Sequence, residues 1–173
     1  AWADAHDVLV VEDDYDSELR YTSAPLPALT SLDASGRVAL LGTFSKTLAP
    51  AIATGFAVLP NRLVEPVTHA REALGQPVNL VTQRALAHHL DSGVLGRHTQ
   101  RMRHRYRRRR TLVVAKLRDM PGIRVYPMDG GLHAVVEFER VEGSVLDALA
   151  ERGVAVAALS DYWAGGGSRR GLV

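Results

Sequence analysis

A single lysine, Lys46, lies in a short segment that is rich in hydroxyl side chains. Only one other lysine, Lys116, occurs among the 21 lysines and arginines of this 173-residue chain. Thr43 and Ser45 precede Lys46, and Thr47 follows it. A lysine amine can form a Schiff base with an aldehyde, and neighbouring hydroxyls can hold a phosphate group. The segment therefore suits covalent chemistry on a phosphorylated group, although an ordinary surface loop has the same residue types.

A second polar cluster, residues 12–18, contains five carboxylates and follows a short apolar run. Adjacent acids at the end of a strand can bind Mg²⁺. No glycine-rich phosphate loop or histidine partner accompanies them, so the sequence does not favour a metal site. We expect Asp14, Asp16 and Glu18 to be helix-start or surface charges.

Short apolar runs predict strands that bring the two clusters together. Residues 8–11 and 37–41 are rich in β-branched or aliphatic side chains, as in parallel strands that are buried on both faces. A third strand is predicted at residues 55–59, ended by Pro60. Open α/β sheets bind ligands beyond the carboxyl ends of their strands. The acids and the lysine are therefore expected to face one crevice.

The remaining chain alternates between helical and extended patterns. Residues 1–7 predict the end of a helix, and Asn61 is a candidate N-cap for the first long helix, which Gly75, Gln76 and Pro77 end. Helices are expected at 62–74, 80–91, 95–119 and 144–152, with Gly153 after the last. Strands are expected at 123–126, 132–138, 154–157 and from 171, and a loop at 164–167.

One cofactor requires a lysine and a carboxylate in this arrangement. Pyridoxal 5′-phosphate is bound through a lysine, and an acid beside its pyridine nitrogen keeps that nitrogen protonated. The protonated ring is an electron sink for a carbanion at the substrate's α-carbon, and the released lysine can move the proton as general base and acid. We therefore predict pyridoxal 5′-phosphate as the cofactor.

Two motifs carry a family resemblance, EDDYDSELRY at residues 12–21 and GTFSKTLAP at residues 42–50. Together they resemble the aminotransferase-like domain of MocR-type regulators of the GntR superfamily, a domain similar to class I aminotransferases of fold type I. The likeness continues through residues 96–98, 101–103, 131–133 and 171–173 and so covers nearly the whole chain.

The resemblance implies an α/β fold with two parts. Residues 1–93 are expected to form the second half of the cofactor-binding large domain, a mostly parallel sheet with helices. Residues 94–173 are expected to form an interdomain helix and a small α+β carboxyl-terminal domain. The regulators' winged helix-turn-helix domain and the first half of their cofactor domain are not matched, so we expect a portion of a longer protein.

The resemblance also implies a role for individual residues. Lys46 would be the catalytic lysine that forms the Schiff base. Asp13 would pair with the pyridine nitrogen of the cofactor, and Tyr15 would hydrogen-bond its ring hydroxyl. Thr43 and Ser45 would contact its phosphate. Fold type I enzymes place a substrate-carboxylate arginine near the last strand, and Arg170, or its neighbour Arg169, is the candidate here.

One position departs from the family pattern. An arginine is usual seven residues after the lysine, where it contacts the cofactor phosphate, and this chain has Ala53 there. Loss of a charge-assisted contact to a phosphate predicts cofactor binding weaker by about 1.5–3 kcal/mol.

The predicted function is an effector domain that binds pyridoxal 5′-phosphate and senses an amino acid or amine. DNA would be contacted only through the winged helix-turn-helix domain. The alternatives are a class I aminotransferase and a vestigial fragment that no longer binds cofactor. The absence of cysteine fits a cytoplasmic protein, and no apolar run is long enough to span a membrane. Incomplete sheets expose strand edges, so we expect a homodimer or other association through exposed sheet and helix faces.

Arginines are concentrated at residues 97–110, although the net charge is only +2. Such a run could bind nucleic acid. It contains one aromatic residue, Tyr106, and no groove-reading motif. The favoured interpretation is the solvated face of a long interdomain helix, with some arginines paired to acids of the other half.

Overall fold

A computed structural model describes residues 1–22, 26–75, 78–165, 167 and 169–173. Within it the chain divides into two compact units, Ala1–Arg103 and His104–Val173. The division falls inside one long helix. Of the predicted loop and break positions, Pro25, Gln76, Pro77 and Gly166 lie outside the described residues.

The first unit is built on a three-stranded sheet. Its strands, in spatial order, are β1 (Val10–Asp14), β2 (Val38–Thr43) and β3 (Gly55–Val58). The first two are parallel, as predicted, and β3 is antiparallel to β2. Strand β1 ends later than predicted, because its ladder with β2 continues until Asp14 lies opposite Gly42. The first acids are therefore inside the strand rather than after it.

Helices in and beyond the first unit follow the predicted pattern. They are α1 (Trp2–Ala5), α2 (Asn61–Ala73), α3 (Leu80–Asp91) and α4 (Val94–Leu117). The N-cap assignment of Asn61 is wrong, since Pro60 is the residue before the first turn and no side chain caps it. Asn79 caps α3 instead, where its side-chain oxygen accepts a hydrogen bond from the Val81 amide at 2.8 Å.

The second unit contains an antiparallel sheet and a short helix. Its strands, in spatial order, are β4 (Ile123–Val125), β5 (Val136–Phe138) and β6 (Gly171–Leu172). Helix α5 spans Glu142–Ala150 and lies between β5 and β6 in the chain. Strand β5 is shorter than the predicted 132–138, although the Val135 carbonyl still accepts a hydrogen bond from the Tyr126 amide at 3.0 Å.

The predicted strand at residues 154–157 does not form. The Val154 amide bonds back to the Leu149 carbonyl at 2.9 Å, so the chain is still closing the end of α5 at that point. Only Ala157 pairs with the last residue of the chain, Val173, through two amide–carbonyl bonds of 2.9 and 3.1 Å. An isolated bridge between Ala158 and Leu172 continues this pairing.

Each unit buries few side chains completely. Leu19 is inaccessible to solvent in the first unit, and Leu159 is 7% exposed in the second. Several apolar side chains of the first sheet remain exposed, among them Val11, Leu41 and Phe56. None of the helices in the described ranges is both long and apolar enough to cross a membrane.

Gly171 lies against the backbone of β5 in the second sheet. A Cβ atom there would overlap the backbone carbonyl oxygen of Val136, which cannot move without disturbing β5. We expect Gly171→Ala to lower the free energy of unfolding by about 1–3 kcal/mol in thermal melts. The matched control is Gly143→Ala in α5, where a Cβ would meet no atom within 4 Å, so stability should hold or rise. Equal effects of the two variants would contradict this packing.

Glu142 joins three segments of the second unit and should make its stability depend on pH. Its carboxylate accepts hydrogen bonds from the Ser160 hydroxyl and from the Gly171 amide at 2.8 Å. These bonds, led by that of Ser160, lower the pKa of Glu142. A lowered pKa stabilises the fold above the ordinary value and loses that contribution as pH falls through the lowered one. Melting temperatures of wild type and Glu142→Gln should therefore differ near neutral pH and converge in acid, whereas a constant difference would refute the role.

Candidate functional site

The loop that carries Lys46 begins at the carboxyl end of β2. Thr43 is the last residue of that strand, and its hydroxyl oxygen accepts a hydrogen bond from the Ser45 amide at 3.1 Å. The Leu48 amide then donates to the Phe44 carbonyl at 2.8 Å, which closes a turn around Lys46. This turn leaves the Lys46 side chain exposed.

A second set of hydrogen bonds ties this loop to the start of β3. The Thr54 carbonyl accepts from the Phe44 amide at 3.0 Å and from the Thr43 hydroxyl at 3.5 Å. The Thr43 hydroxyl thus uses its one proton within the loop. By contrast, the Ser45 hydroxyl has no hydrogen-bond partner among the described residues. Of the two predicted phosphate contacts, Ser45 therefore has the free donor.

Two of the three acids of β1, Glu12 and Asp14, accept hydrogen bonds, whereas Asp13 between them does not within the described residues. Both oxygens of Glu12 accept from the Leu29 amide, at 2.9 and 3.0 Å. Asp14 accepts from the amide and the hydroxyl of Ser17, at 3.0 and 2.6 Å, which starts a short 3₁₀ helix as expected for a helix-start charge. In the described part of the chain, the exposed Asp13 carboxylate has no such partner.

Strand register places Asp13 near the lysine loop. Asp13 lies opposite Leu41 in the parallel ladder, and Thr43 follows two residues later. Since side chains alternate along a strand, Asp13 and Thr43 are on the same face of the sheet. Strand spacing and rise put their Cα atoms roughly 8 Å apart. The parallel pair thus brings the predicted acid and the start of the lysine loop to one edge.

Tyr15 and Thr43 share a small cavity at this edge. The cavity has a volume of about 50 Å³, and Gly42 and Phe56 also line it, whereas Asp13, Ser45 and Lys46 do not. The Phe56 ring lies against Gly42, where a Cβ atom would overlap it, and is 5.3 Å from the ring of Phe44. This space is far smaller than the several hundred Å³ of a typical cofactor pocket.

Glu18 also lines this cavity, and its surroundings raise the pKa of its carboxyl group. Although Glu18 is exposed as a whole residue, nearby atoms desolvate its carboxyl group, and this raises its pKa. The charge of Asp14 raises the pKa further.

Burial and packing single out three residues around the site, of which the sequence had indicated only Thr47, as a hydroxyl neighbour of Lys46. Thr47 and Thr54 are only 5% and 6% exposed, and the Thr54 hydroxyl donates to the Ile52 carbonyl at 2.8 Å. Phe56 covers Gly42. The available signal was the occurrence of small hydroxyl residues on both sides of the lysine loop.

Ala53, the residue at the family's arginine position, has an unusual backbone. Its φ is +45°, in the left-handed region, and its side chain is exposed. The backbone at this position is therefore already set in a conformation that costs a non-glycine residue free energy. An arginine here would pay the same conformational cost as alanine.

Arg170 lies in the second unit, in an exposed position just before β6. Its carbonyl accepts a hydrogen bond from the Phe138 amide at 3.1 Å. Arg169 instead donates to the Tyr126 hydroxyl at 2.7 Å and pairs with Glu137 at 3.3 Å. Arg169 is thus held within the sheet, and the substrate role of Arg170 stays a prediction. Within the described ranges, no three His, Asp or Glu side chains are grouped as metal ligands.

Comparison with known proteins identifies the domain type. The family model "Aminotransferase class I and II" matches residues 1–168. The chain is 47% identical, over all 173 residues, to the HTH-type pyridoxine biosynthesis transcriptional regulator PdxR of Corynebacterium glutamicum. It is 39% identical over 144 residues, or 82% of its length, to the probable rhizopine catabolism regulatory protein MocR of Rhizobium meliloti. The predicted resemblance to MocR-type regulators is confirmed, and the chain spans 38% and 29% of these two relatives.

Solved aminotransferases have the same fold. Kynurenine aminotransferase from Pyrococcus horikoshii, in complex with PMP, superposes with a TM-score of 0.86 at 28% identity, over 99% of this chain and 43% of that protein. LysN, an α-aminoadipate aminotransferase from Thermus thermophilus complexed with N-(5′-phosphopyridoxyl)-L-leucine, superposes with a TM-score of 0.86 at 26% identity. The match covers 99% of this chain and 46% of that protein. The predicted partial α/β architecture of fold type I is confirmed. The chain belongs to the class I and II aminotransferase family, whose members depend on pyridoxal 5′-phosphate.

Proposed function

We propose that this chain is part of an aminotransferase-like effector domain of a transcriptional regulator, and that Lys46 carries pyridoxal 5′-phosphate. One observation carries the proposal. The parallel strands β1 and β2 end side by side, so that an unpartnered carboxylate, Asp13, and an exposed lysine loop lie at the same edge of the sheet.

The residues at this edge fit the chemistry of the cofactor. In the described part of the chain, Lys46 forms no ion pair, so its amine is available to react with an aldehyde. Asp13 is available to hold a protonated ring nitrogen, and Tyr15 can donate to a ring hydroxyl. Ser45 has a hydroxyl free for a phosphate oxygen, and Thr43 orients the loop that presents it. When bound, the cofactor supplies an electron sink beside the substrate's α-carbon.

The small cavity beside Tyr15 and Thr43 indicates which parts of the site this chain does not provide. About 50 Å³ cannot enclose the cofactor, so the ring would lie on an open surface of this chain. The chain spans 38% of the PdxR regulator that it matches. We propose that further protein, from a longer chain or from a partner, covers the cofactor.

A regulator is favoured over an enzyme because two relatives, at 47% and 39% identity, are transcriptional regulators by name. In that function an amino acid or amine is the effector, Arg170 is its candidate carboxylate contact, and a separate domain reads the DNA sequence in the cytoplasm. The alternative is a working aminotransferase, which the likeness to solved aminotransferases supports.

Association through the first sheet is also part of the proposal. Val11 and Leu41 are exposed on one face of this sheet, and Phe56 and Val58 on the other, each by at least 40%. Exposed apolar side chains on a sheet are typical of surfaces that another protein surface covers. We propose that this region contributes to a homodimer or to an intramolecular interface.

Replacing Lys46 should abolish cofactor attachment. On titration with pyridoxal 5′-phosphate, the wild-type chain should develop the visible absorption band of a lysine-bound cofactor, and borohydride reduction should fix its mass on Lys46. Lys46→Ala should show neither, because no other primary amine occupies this loop. Lys116→Ala, in α4, removes the only other lysine and should retain both signals.

The same titration separates the alternatives. Absence of the band from the wild-type chain would contradict cofactor binding by this chain and favour the vestigial fragment. A retained band together with conversion of an amino acid and a 2-oxo acid would favour the aminotransferase. A retained band that an amino acid or amine shifts without product formation supports the effector domain.

Restoring an arginine at position 53 should strengthen cofactor binding. The exposed side chain and the φ of +45° at Ala53 leave room for arginine without a new backbone cost. A charge-assisted contact to the phosphate should lower the dissociation constant of Ala53→Arg by about 10–100-fold in the same titration. Ala51→Arg adds the same charge at another exposed position of the loop and serves as the control. An equal gain in both variants would mean that net charge, not a phosphate contact, is responsible.

A further inference from the structure

Helix α4 has an extreme charge composition. Its 24 residues include no aspartate or glutamate and eight arginines, which are Arg97, Arg101, Arg103, Arg105, Arg107, Arg108, Arg109 and Arg110. The arginines do not all point the same way. Met102, Tyr106 and Arg110 are half-buried on one side, whereas Arg101 and Arg105 are among the exposed residues on the other.

Four of the exposed arginines form a line, which we call the arginine stripe: Arg97, Arg101, Arg105 and Arg108. Their separations of four, four and three residues place them on one face of an α-helix. At a rise of about 1.5 Å per residue, the stripe is roughly 16 Å long. Over that length of the duplex axis, one DNA strand presents about five phosphates, at an axial rise of about 3.4 Å each.

Almost no carboxylates of the described residues neutralise the positive charge of the stripe. Arg110, which lies outside it, is 3.9 Å from Asp129. Within the described residues, the guanidinium groups of Arg101, Arg105 and Arg108 have no carboxylate at ion-pair distance. Arg97 donates to a neutral acceptor, the Ser92 carbonyl, at 3.2 Å. The expectation that some arginines of this run pair with acids is met by Arg110, which lies outside the stripe, and by none of Arg101, Arg105 and Arg108 within the described residues.

Uncompensated like charges at this spacing oppose helix formation. Each such pair at four-residue separation destabilises an isolated helix by about 0.2–0.5 kcal/mol. An external polyanion would turn this repulsion into attraction, because each guanidinium can form two parallel hydrogen bonds to one phosphate.

We propose that the arginine stripe binds the phosphate backbone of duplex DNA without reading its sequence, in addition to the contacts expected of the separate winged helix-turn-helix domain. The exposed side of α4 between Arg97 and Arg109 carries only arginine, histidine and glutamine beyond Gly96, so it offers no apolar side chains for insertion into a membrane. It also lacks the exposed aromatic platforms that bind unstacked bases of single strands, since Tyr106 is half-buried with Arg109 over its ring. The choice of DNA among duplex polyanions rests on the proposed function in a transcriptional regulator.

The proposal predicts a specific salt dependence. Fluorescence anisotropy of a labelled 20-base-pair duplex of arbitrary sequence would be measured with the whole chain between 50 and 200 mM salt. Replacing three arginines of the stripe with glutamine (Arg101, Arg105 and Arg108) should weaken binding and reduce the slope of log affinity against log salt by about 2.7, at 0.9 per phosphate contact. The three replacements are at exposed positions, and the cofactor band of the same samples reports on the first unit.

Two variants make the test selective. Glutamine at three exposed arginines elsewhere (Arg84, Arg140 and Arg152) removes the same net charge and should leave the slope nearly unchanged. Lysine at the three stripe positions keeps the charge and should retain most of the slope. No duplex binding by the wild-type chain at 50 mM salt, or equal losses in the stripe and control variants, would overturn the proposal. Tighter binding to phosphatidylserine vesicles or to single-stranded RNA would also overturn it. The cofactor band is an independent signal, so its presence or absence tests the proposed cofactor site and not the stripe.

Discussion

The parallel pairing of β1 with β2 is the constraint on which the candidate site depends. A slip of one residue in a strand moves every side chain to the opposite face. Such a slip would separate Asp13 from the face that Thr43 shares. The register is fixed where the strands begin, because the Val10 amide donates to the Arg37 carbonyl at 2.8 Å. The Asp33 carboxylate holds this end of β2 by accepting from the amides of Arg37 and Val38 at 2.7 and 2.8 Å. The Val38 amide is the main cause of the lowered pKa of Asp33, so this carboxylate keeps its charge to lower pH than an ordinary aspartate.

The antiparallel strand β3 completes the site from the other side. It returns Thr54 to the end of β2, where its carbonyl holds both Phe44 and Thr43. It also sets Phe56 opposite Gly42, and only glycine leaves room for that ring. The lysine loop is thus fixed at both of its ends by backbone groups, while Lys46 itself stays exposed. A loop built in this way can present a reactive amine without relying on the amine for its own stability.

The sequence predicted the elements of the site better than its contacts. Apolar runs located β1, β2 and β3, because apolar and β-branched side chains leave a local signal even where, as in β3, all four residues are exposed. The antiparallel direction of β3 and the extension of β1 through the acids depend on pairing between distant segments, which a local pattern does not contain. For the same reason the apolar residues 154–157 suggested a strand, although only Ala157 meets a partner. The motif singled out Asp13 among its neighbours. The physical reason lies in the fold, in which the Leu29 amide binds Glu12 and the Ser17 amide binds Asp14, while Asp13 has no partner within the described residues.

Basic and acidic residues are separated along the chain, although the net charge is small. Helix α4 holds nine of the 21 basic residues and none of the 19 acids, so the rest of the chain carries an excess of acid. Electrostatics alone would favour mixing these charges in ion pairs, yet Arg101, Arg105 and Arg108 have none within the described residues. Pairs between exposed side chains stabilise a fold by only about 0–1 kcal/mol, so folding exerts little pressure to form them. A phosphate backbone gathers several such arginines at once and releases its counterions in doing so. The separation of charge is therefore better explained by binding than by stability.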